Sequence, residues 1–454
     1  MIPLSFAQRR LWFINRFEGP SATYNIPVAL RLTGTLDRAA LTAAVRDVVS
    51  RHESLRTLIV EDRHGEPFQH VLPDNEAHPQ VETADVTPDG VAEAVKAAVA
   101  HEFDLATEMP LRTLLLRLSP DEHVLVLVIH HIAGDGGSAA PLARDVSTAY
   151  AARCLGNAPG WEELPVQYTD YTLWQRELLG DENDPNSVLA AQSSYWEKEL
   201  ADVPQPLQLP TDRPRPATAG HVGASVDFAL DPVLLQQVEK LAQDRGVTVA
   251  MVLQSALAVL LNRLGGGDDI TLGSPIAGRT DEELADMVGF FVNTWVLRTE
   301  LAGNPAFTDL LTQVRDKSLT AYDNQDVPFE RLVEIVNPDR SASYHPLFQV
   351  MFAWQNNTWP EFDMPGLRVT FEPVSTPTAK FDLLFNLAEV PGEGVRGTLE
   401  YAVDLFDRDT VQRIASRFVS VVRQVVADPG CRIGSVDVLE AGEREVLLGE
   451  WIDS

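Results

Sequence analysis

Cysteine is almost missing. The chain has 454 residues and only two cysteines, Cys154 and Cys431. They stand far apart with no histidine cluster beside them. That excludes a disulfide scaffold, argues against a metal site and fits the reducing cytosol, so a cytoplasmic protein is expected. Positive charge is scarce as well: 36 lysines and arginines face 66 aspartates and glutamates, a formal net charge of −30. Nucleic acid and anionic membrane surfaces both need a basic face, so neither is expected as a partner. No stretch approaches the ~18 uncharged apolar residues of a membrane-spanning helix. The start, "MIPLSFAQRRLWF", lacks the basic region and long apolar run of a signal peptide. No GxxxxGK[ST] or GxGxxG string is present, so no nucleotide cofactor is implied. The chain opens abruptly on a motif and stops after "LLGEWIDS", which reads as a piece of something longer.

What is present is ordinary globular material, 45% apolar and 22% charged. The length suits two lobes of roughly 200 residues. We place the first at 1–175 and the second at 176–454, with the proline-rich "LPTDRPRPATAG" bridging them. Strand and helix patterns alternate in both halves, which predicts α/β sandwiches. In the first half, "SFAQRRLWFINRFE" predicts a helix with Phe6, Leu11, Phe13, Ile14 and Phe17 near one face. "DRAALTAAVRDVVSRHESLR" predicts a helix capped by Asp37, and "LRTLIVED" with "EPFQHVL" predicts a hairpin about His64 and Gly65. "LRTLLLRLSPDEHVLVLVIHH" gives two strands. The second, Val124 to Ile129, has no polar residue and should be central. A helix follows, "SAAPLARDVSTAYAARCLG", with Ser138 where an N-cap belongs. In the second half "TVAMVLQSALAVLLNRLGG" predicts a buried helix, and "MVGFFVNTWVLRTEL" an apolar strand. Trp174, Trp196, Trp295, Trp354 and Trp359 have no regular spacing, and packing is the default for them.

The chemistry concentrates at the end of the greasiest strand, in "IHHIAGDGGSAAPLARD". A histidine there is held rigidly and can accept a proton at neutral pH. Asp135 follows one tight turn later, and glycines at 134, 136 and 137 let backbone approach a ligand. The helix N-terminus near Ser138 points N–H groups back at the site, where they could stabilise an oxyanion. A base, a structural carboxylate and oxyanion donors thus lie within one short run. The competing reading is two buried, internally satisfied histidines beside a glycine turn. There is no serine or cysteine nucleophile elbow, which favours direct transfer between two bound substrates.

"HHIAGDG" resembles the HHxxxDG signature of condensation domains of nonribosomal peptide synthetases, relatives of chloramphenicol acetyltransferase. Further stretches resemble that family's motifs in order: "SFAQRRLWF", "RHESLRT", "YTDYTLWQ", "VGFFVNTWVLR", "NQDVPFERLV" and "DRSASYHPLFQVMF". The resemblance implies two chloramphenicol acetyltransferase-like α/β sandwich lobes forming a V-shaped pseudo-dimer, with the active site in a tunnel between them. It also implies an acyltransferase that forms peptide bonds in secondary metabolism, such as antibiotic or siderophore biosynthesis. Upstream donor and downstream acceptor carrier domains deliver substrates on phosphopantetheine arms, and a neighbouring adenylation domain follows. No cofactor is bound directly, and the excised domain is expected to be monomeric. "GPSATYNIPVALRL" resembles versions that accept a donor ending in a D-residue, and "LEAGEREVLLGEW" resembles the linker to an adenylation domain.

By the same resemblance His131 matches the catalytic position, as a base or a positioning group. Strand alternation puts His130 on the opposite face, packed within its lobe. Asp135 is expected to hold the loop, paired with Arg279, and Gly136 to bring backbone close to the reacting carbonyl. Gly137 departs from the family's usual tryptophan, which means either a turn adjustment or extra space. Gly137, Ser138, Ser5, Gln8 and Asn293 are tunnel-lining candidates. For Ser5, Gln8 and Arg9 the competing reading is capping and solvating a helix, while Arg56 and Asn293 suit structural hydrogen bonding. Other readings on the same fold stay open: an inactive partner-recruiting domain, an epimerisation-type relative, or a carrier-independent acyltransferase that would turn over free coenzyme A thioesters. A heterocyclisation domain carries aspartates in place of the histidines and is disfavoured.

Overall fold

Apolar patterns of period two and period 3.6 alternate along the chain, and the elements follow them. This is a computed structural model that describes residues 1–181, 183–338, 341–355, 361–372, 374, 376–439 and 442–443. Trp359, most of "LEAGEREVLLGEW" and the first two residues of "DRSASYHPLFQVMF" lie outside the described residues. The chain begins with β1 (Ile2–Pro3), α1 (Phe6–Glu18), β2 (Asn25–Gly34), α2 (Arg38–Arg51), β3 (Thr57–Glu61) and β4 (Pro67–Val71). Then come β5 (Val81–Asp85), α3 (Val91–Val99), β6 (Leu111–Ser119), β7 (Glu122–His130), α4 (Ala139–Cys154), α5 (Tyr168–Leu179) and α6 (Val188–Glu199). Next are β8 (Gly223–Leu230), α7 (Pro232–Arg245), α8 (Val249–Leu261), β9 (Asp269–Ile276), β10 (Asn293–Glu300), α9 (Phe307–Asp323) and α10 (Phe329–Val336). The last are β11 (Val350–Gln355), β12 (Leu367–Phe371), β13 (Leu383–Val390), β14 (Gly394–Ala402) and α11 (Arg408–Ala427).

Contacts divide the chain into two units. The first is Met1–Ala190 with Ala277–Asn293 and Asn357–Thr376; the second is Ala191–Ile276, Thr294–Asn356 and Pro377–Ser454. This corrects the boundary expected after residue 175. Helix α5 buries Tyr168, Tyr171 and Leu179, and Arg176 donates to the Leu4 carbonyl at 2.8 Å, so the whole of α5 stays with the first unit. Two later stretches also return to it, and backbone pairing explains one: β12 adds to β2 antiparallel, Val369 opposite Leu32.

The larger sheet of the first unit has the order β12-β2-β7-β6-β5, beside a three-stranded sheet β1-β4-β3. Strand β7 lies in the middle, with Val124 to Ile129 all buried, as a strand without polar residues must be. Leu41, Val45 and Val48 of α2 and Leu142, Val146 and Ala149 of α4 share its core. Asp37 caps α2 by accepting from the Ala40 amide at 2.9 Å, and β3 and β4 form the expected hairpin. Helix α1 differs from expectation. Phe13 is 61% exposed, while Gln8 is 1% exposed beside Leu11. The inward stripe is partly polar because the core offers Gln8 hydrogen-bond partners.

The sheet of the second unit runs β10-β9-β11-β13-β14-β8. Helix α8 is buried from Met251 to Leu261. With the turn after it, Val249–Gly266 has a mean hydropathy of 1.4, long and apolar enough by composition to cross a membrane, although Arg263 interrupts it. Its apolar side chains pack inside the second unit, 61% of the stretch being buried, which accounts for the composition without a bilayer.

Candidate active site

Strand β7 delivers the two histidines. Its last residue, His130, sits opposite Asn25, and the His131 amide donates to the Tyr24 carbonyl at 2.8 Å. His130 is 2% exposed; its Nδ1 accepts from the Ile132 amide at 3.2 Å, and its ring meets Phe103 edge-on. His131 is half-buried, with its ring 4.7 Å from that of Phe290 at 61°. The pair therefore splits into an enclosed residue and a partly accessible one, as strand alternation dictates, although His131 Nδ1 is itself buried.

The turn after His131 is built around Asp135, whose side chain is fully buried. Oδ1 accepts from the Ser138 amide at 3.1 Å and from Arg279 Nη2 at 3.2 Å. Oδ2 accepts from the Phe291 amide at 2.8 Å and the Val292 amide at 3.2 Å. Arg279 also donates to the carbonyls of Leu284 and Met287, at 2.6 and 2.7 Å, and its guanidinium lies over the Phe291 ring. A buried carboxylate satisfied on both oxygens, paired with a guanidinium whose two Nη atoms are both bonded, is a structural anchor.

Ser138 holds the N-cap position of α4, as expected, but makes no side-chain capping bond to it; Asp135 supplies the capping carboxylate one turn earlier. A 3-10 turn, Gly136–Ser138, precedes α4 and is capped by the Asp135 carboxylate. That turn consumes the Ser138 amide, and the Ala139 amide bonds to the Gly136 carbonyl, so neither is left as a helix-terminal donor. Gly136 is exposed. A Cβ on Gly137 would lie 2.7 Å from Arg279 Nε, so the position is not open space. The Ser138 hydroxyl is committed internally, to Asp135, Arg279 and both backbone groups of Gly289. Ser5 and Gln8 are 0% and 1% exposed, which places them inside the unit and not at a surface mouth. Ser5 caps α1, and Gln8 donates to Gln69 at 3.3 Å. Arg9 is exposed and pairs with Glu66, Arg56 donates to the Leu72 carbonyl, and Asn293 opens β10.

Residues 288–292 are not a strand, although their apolar pattern predicts one; β10 begins only at Asn293. Side chains hold their backbone instead. The Val288 amide donates to His52 Nδ1 at 3.3 Å, and the Val288 carbonyl accepts from Ser54 at 2.7 Å. Tyr168 donates to the Phe290 carbonyl at 2.5 Å and bonds Ser5 at 2.8 Å. Burial raises the Tyr168 phenol well above its ordinary pKa, so it is a standing donor. Gly289 packs against the Tyr168 ring with no room for a Cβ. Sequence reasoning missed His52, Tyr168 and Phe290. The available signal was membership of "RHESLRT", "YTDYTLWQ" and "VGFFVNTWVLR", three separated strings that converge on one short segment.

The sequence model of the Condensation domain matches residues 1–448. The chain is 48% identical over 455 residues to the dimodular nonribosomal peptide synthase of Bacillus subtilis, covering 99% of this chain and 19% of that protein. It is 53% identical over 448 residues to the probable non-canonical nonribosomal peptide synthetase CymA of Salinispora arenicola, covering 99% of this chain and 6% of that one. Among solved structures, the X-domain from teicoplanin biosynthesis matches with a TM-score of 0.90 and 35% identity, covering 96% of this chain and 98% of that one. The chain belongs to the condensation-domain family of nonribosomal peptide synthetases. It spans only a small part of the synthetases it matches.

Proposed function

We propose that this domain forms a peptide bond between two carrier-bound substrates. The α-amine of an aminoacyl thioester on a downstream carrier attacks the carbonyl of an upstream aminoacyl or peptidyl thioester. The new C–N bond forms as the C–S bond breaks, the amine gives up a proton, and the donor arm leaves as its thiol. His131 takes the hydrogen bond, and then the proton, from the attacking amine. The amides of Gly136 and Gly137 face the developing oxyanion. Asp135 and Arg279 hold this turn in place and do not exchange protons with substrate. The phosphopantetheine arms belong to the substrates. A flanking adenylation domain, a cytoplasmic location and a donor with a D-residue at its end complete the reading. The observation that carries it is the split of the histidine pair: His130 is enclosed while His131, next to a rigid anion-anchored turn, is partly accessible.

A second reading follows from the likeness to an X-domain, one structure of which is a complex with OxyB. Such a domain would hold a partner protein and do no chemistry. His131, Asp135 and Gly136 all stand at their motif positions, which favours catalysis. The test is to load purified carriers with defined donor and acceptor thioesters and follow peptide formation by mass spectrometry, with both donor epimers. Dipeptide on the acceptor carrier supports condensation, and faster turnover of the D-epimer supports the finer reading. No product with either epimer, together with capture of a partner enzyme, favours recruitment.

A further inference from the structure

Helix α4 carries a second buried carboxylate, Asp145, 4% exposed at its side chain. Its Oδ2 accepts from His52 Nε2 at 2.8 Å and Arg51 Nε at 2.9 Å, and its Oδ1 from Arg144 Nε at 3.1 Å. His52 ends α2 and is fully buried. With Nε2–H donated to Asp145, Nδ1 is the acceptor that the Val288 amide requires, at 3.3 Å. Burial pushes the imidazole below its ordinary pKa against the pull of the Asp145 hydrogen bond, so the ring stays neutral and Nδ1 keeps its lone pair. Val288 opens the segment whose Phe290 ring lies 4.7 Å from that of His131. His52 thus stands at one end of a backbone that stands, at its other end, on the candidate catalytic ring.

We propose that Asp145 and His52 are positioning residues for His131: Asp145 fixes the His52 tautomer, His52 fixes the Val288 amide, and the segment so held seats Phe290 against the His131 ring. The pair touches neither substrate. The inference rests on the assignment of His131 in the condensation reading. The competing account is a buried ion-pair cluster that only joins α2 to α4.

Two substitutions separate the accounts. Asparagine at 52 places its carboxamide oxygen near the former Nδ1 and keeps an acceptor for Val288, but loses Asp145. Glutamine reaches Asp145 with its amide nitrogen but offers Val288 nothing at Nδ1. Peptide formation by carrier-loaded substrates is measured with wild type, His52→Asn, His52→Gln, Phe290→Ala, the double variant His52→Gln/Phe290→Ala, and His131→Ala. Positioning predicts that His52→Gln lowers kcat by about 10- to 100-fold with KM little changed, while His52→Asn keeps most of it. Phe290→Ala should show a similar loss, and the double variant should be no worse than either single change. The reverse order of the two His52 variants, equal activity in both, or additive losses in the double variant overturns the proposal. Should the His52 variants fail to fold, Phe290→Ala alone decides: an unchanged kcat sinks the proposal. Full activity in His131→Ala would instead overturn the condensation reading beneath it.

Discussion

At Asp135 the cost of removing one side chain is set by what it leaves behind. Arg279 would keep its place with a buried charge and no anion, and the amides of Phe291 and Val292 would lose their acceptor. Asp135→Ala is therefore expected to cost about 3–5 kcal/mol and to abolish activity through the lost fold of the turn. Chemical denaturation checks it; wild-type stability with activity gone would mean that the carboxylate acts in the chemistry. Gly136 behaves oppositely. It is exposed, and the structural bond it makes is through its carbonyl, to the Ala139 amide, so Gly136→Val should leave the melting temperature within a few degrees and eliminate product. A variant that melts normally and still condenses would remove Gly136 from the oxyanion site.

Among the elements, the late return of β12 to the first unit's sheet has an identifiable clamp. Arg31 of β2 bonds both Glu122 of β7 and Glu372 just after β12. Those acids hold its guanidinium above its ordinary pKa. The three side chains are partly exposed, so Arg31→Met should cost only about 1 kcal/mol globally. Hydrogen exchange at 367–371 should nonetheless rise, because an edge strand opens before the middle of its sheet. Unchanged exchange there would show that backbone pairing alone holds β12. These elements also show what a sequence discloses. Periodicity exposes β7, α2, α8 and the β3–β4 hairpin because their burial is local and regular. It misassigns 288–292, whose backbone bonds go to His52, Ser54, Ser138, Tyr168 and Asp135, residues brought in from far along the chain. The motif around His131 was legible in one string. The buried roles of Ser5 and Gln8 were not, since polar residues carry no mark of being satisfied inside.

For the whole molecule, a formal net charge of −30 works against the compact state by self-repulsion. Raising sodium chloride from about 0.01 to 0.2 M should raise the melting temperature, since the screening length falls from about 30 to below 10 Å. A falling midpoint would mean that the surface ion pairs outweigh that repulsion.

The most direct measurement on the central claim is single-turnover peptide formation by wild type and His131→Ala, with melting temperatures taken on the same samples. We expect product formation to fall by at least ~100-fold, at the lower end of what a positioned acid–base group contributes, with melting little changed because the residue is only half-buried. A properly folded His131→Ala that couples donor and acceptor at the wild-type rate would contradict the account.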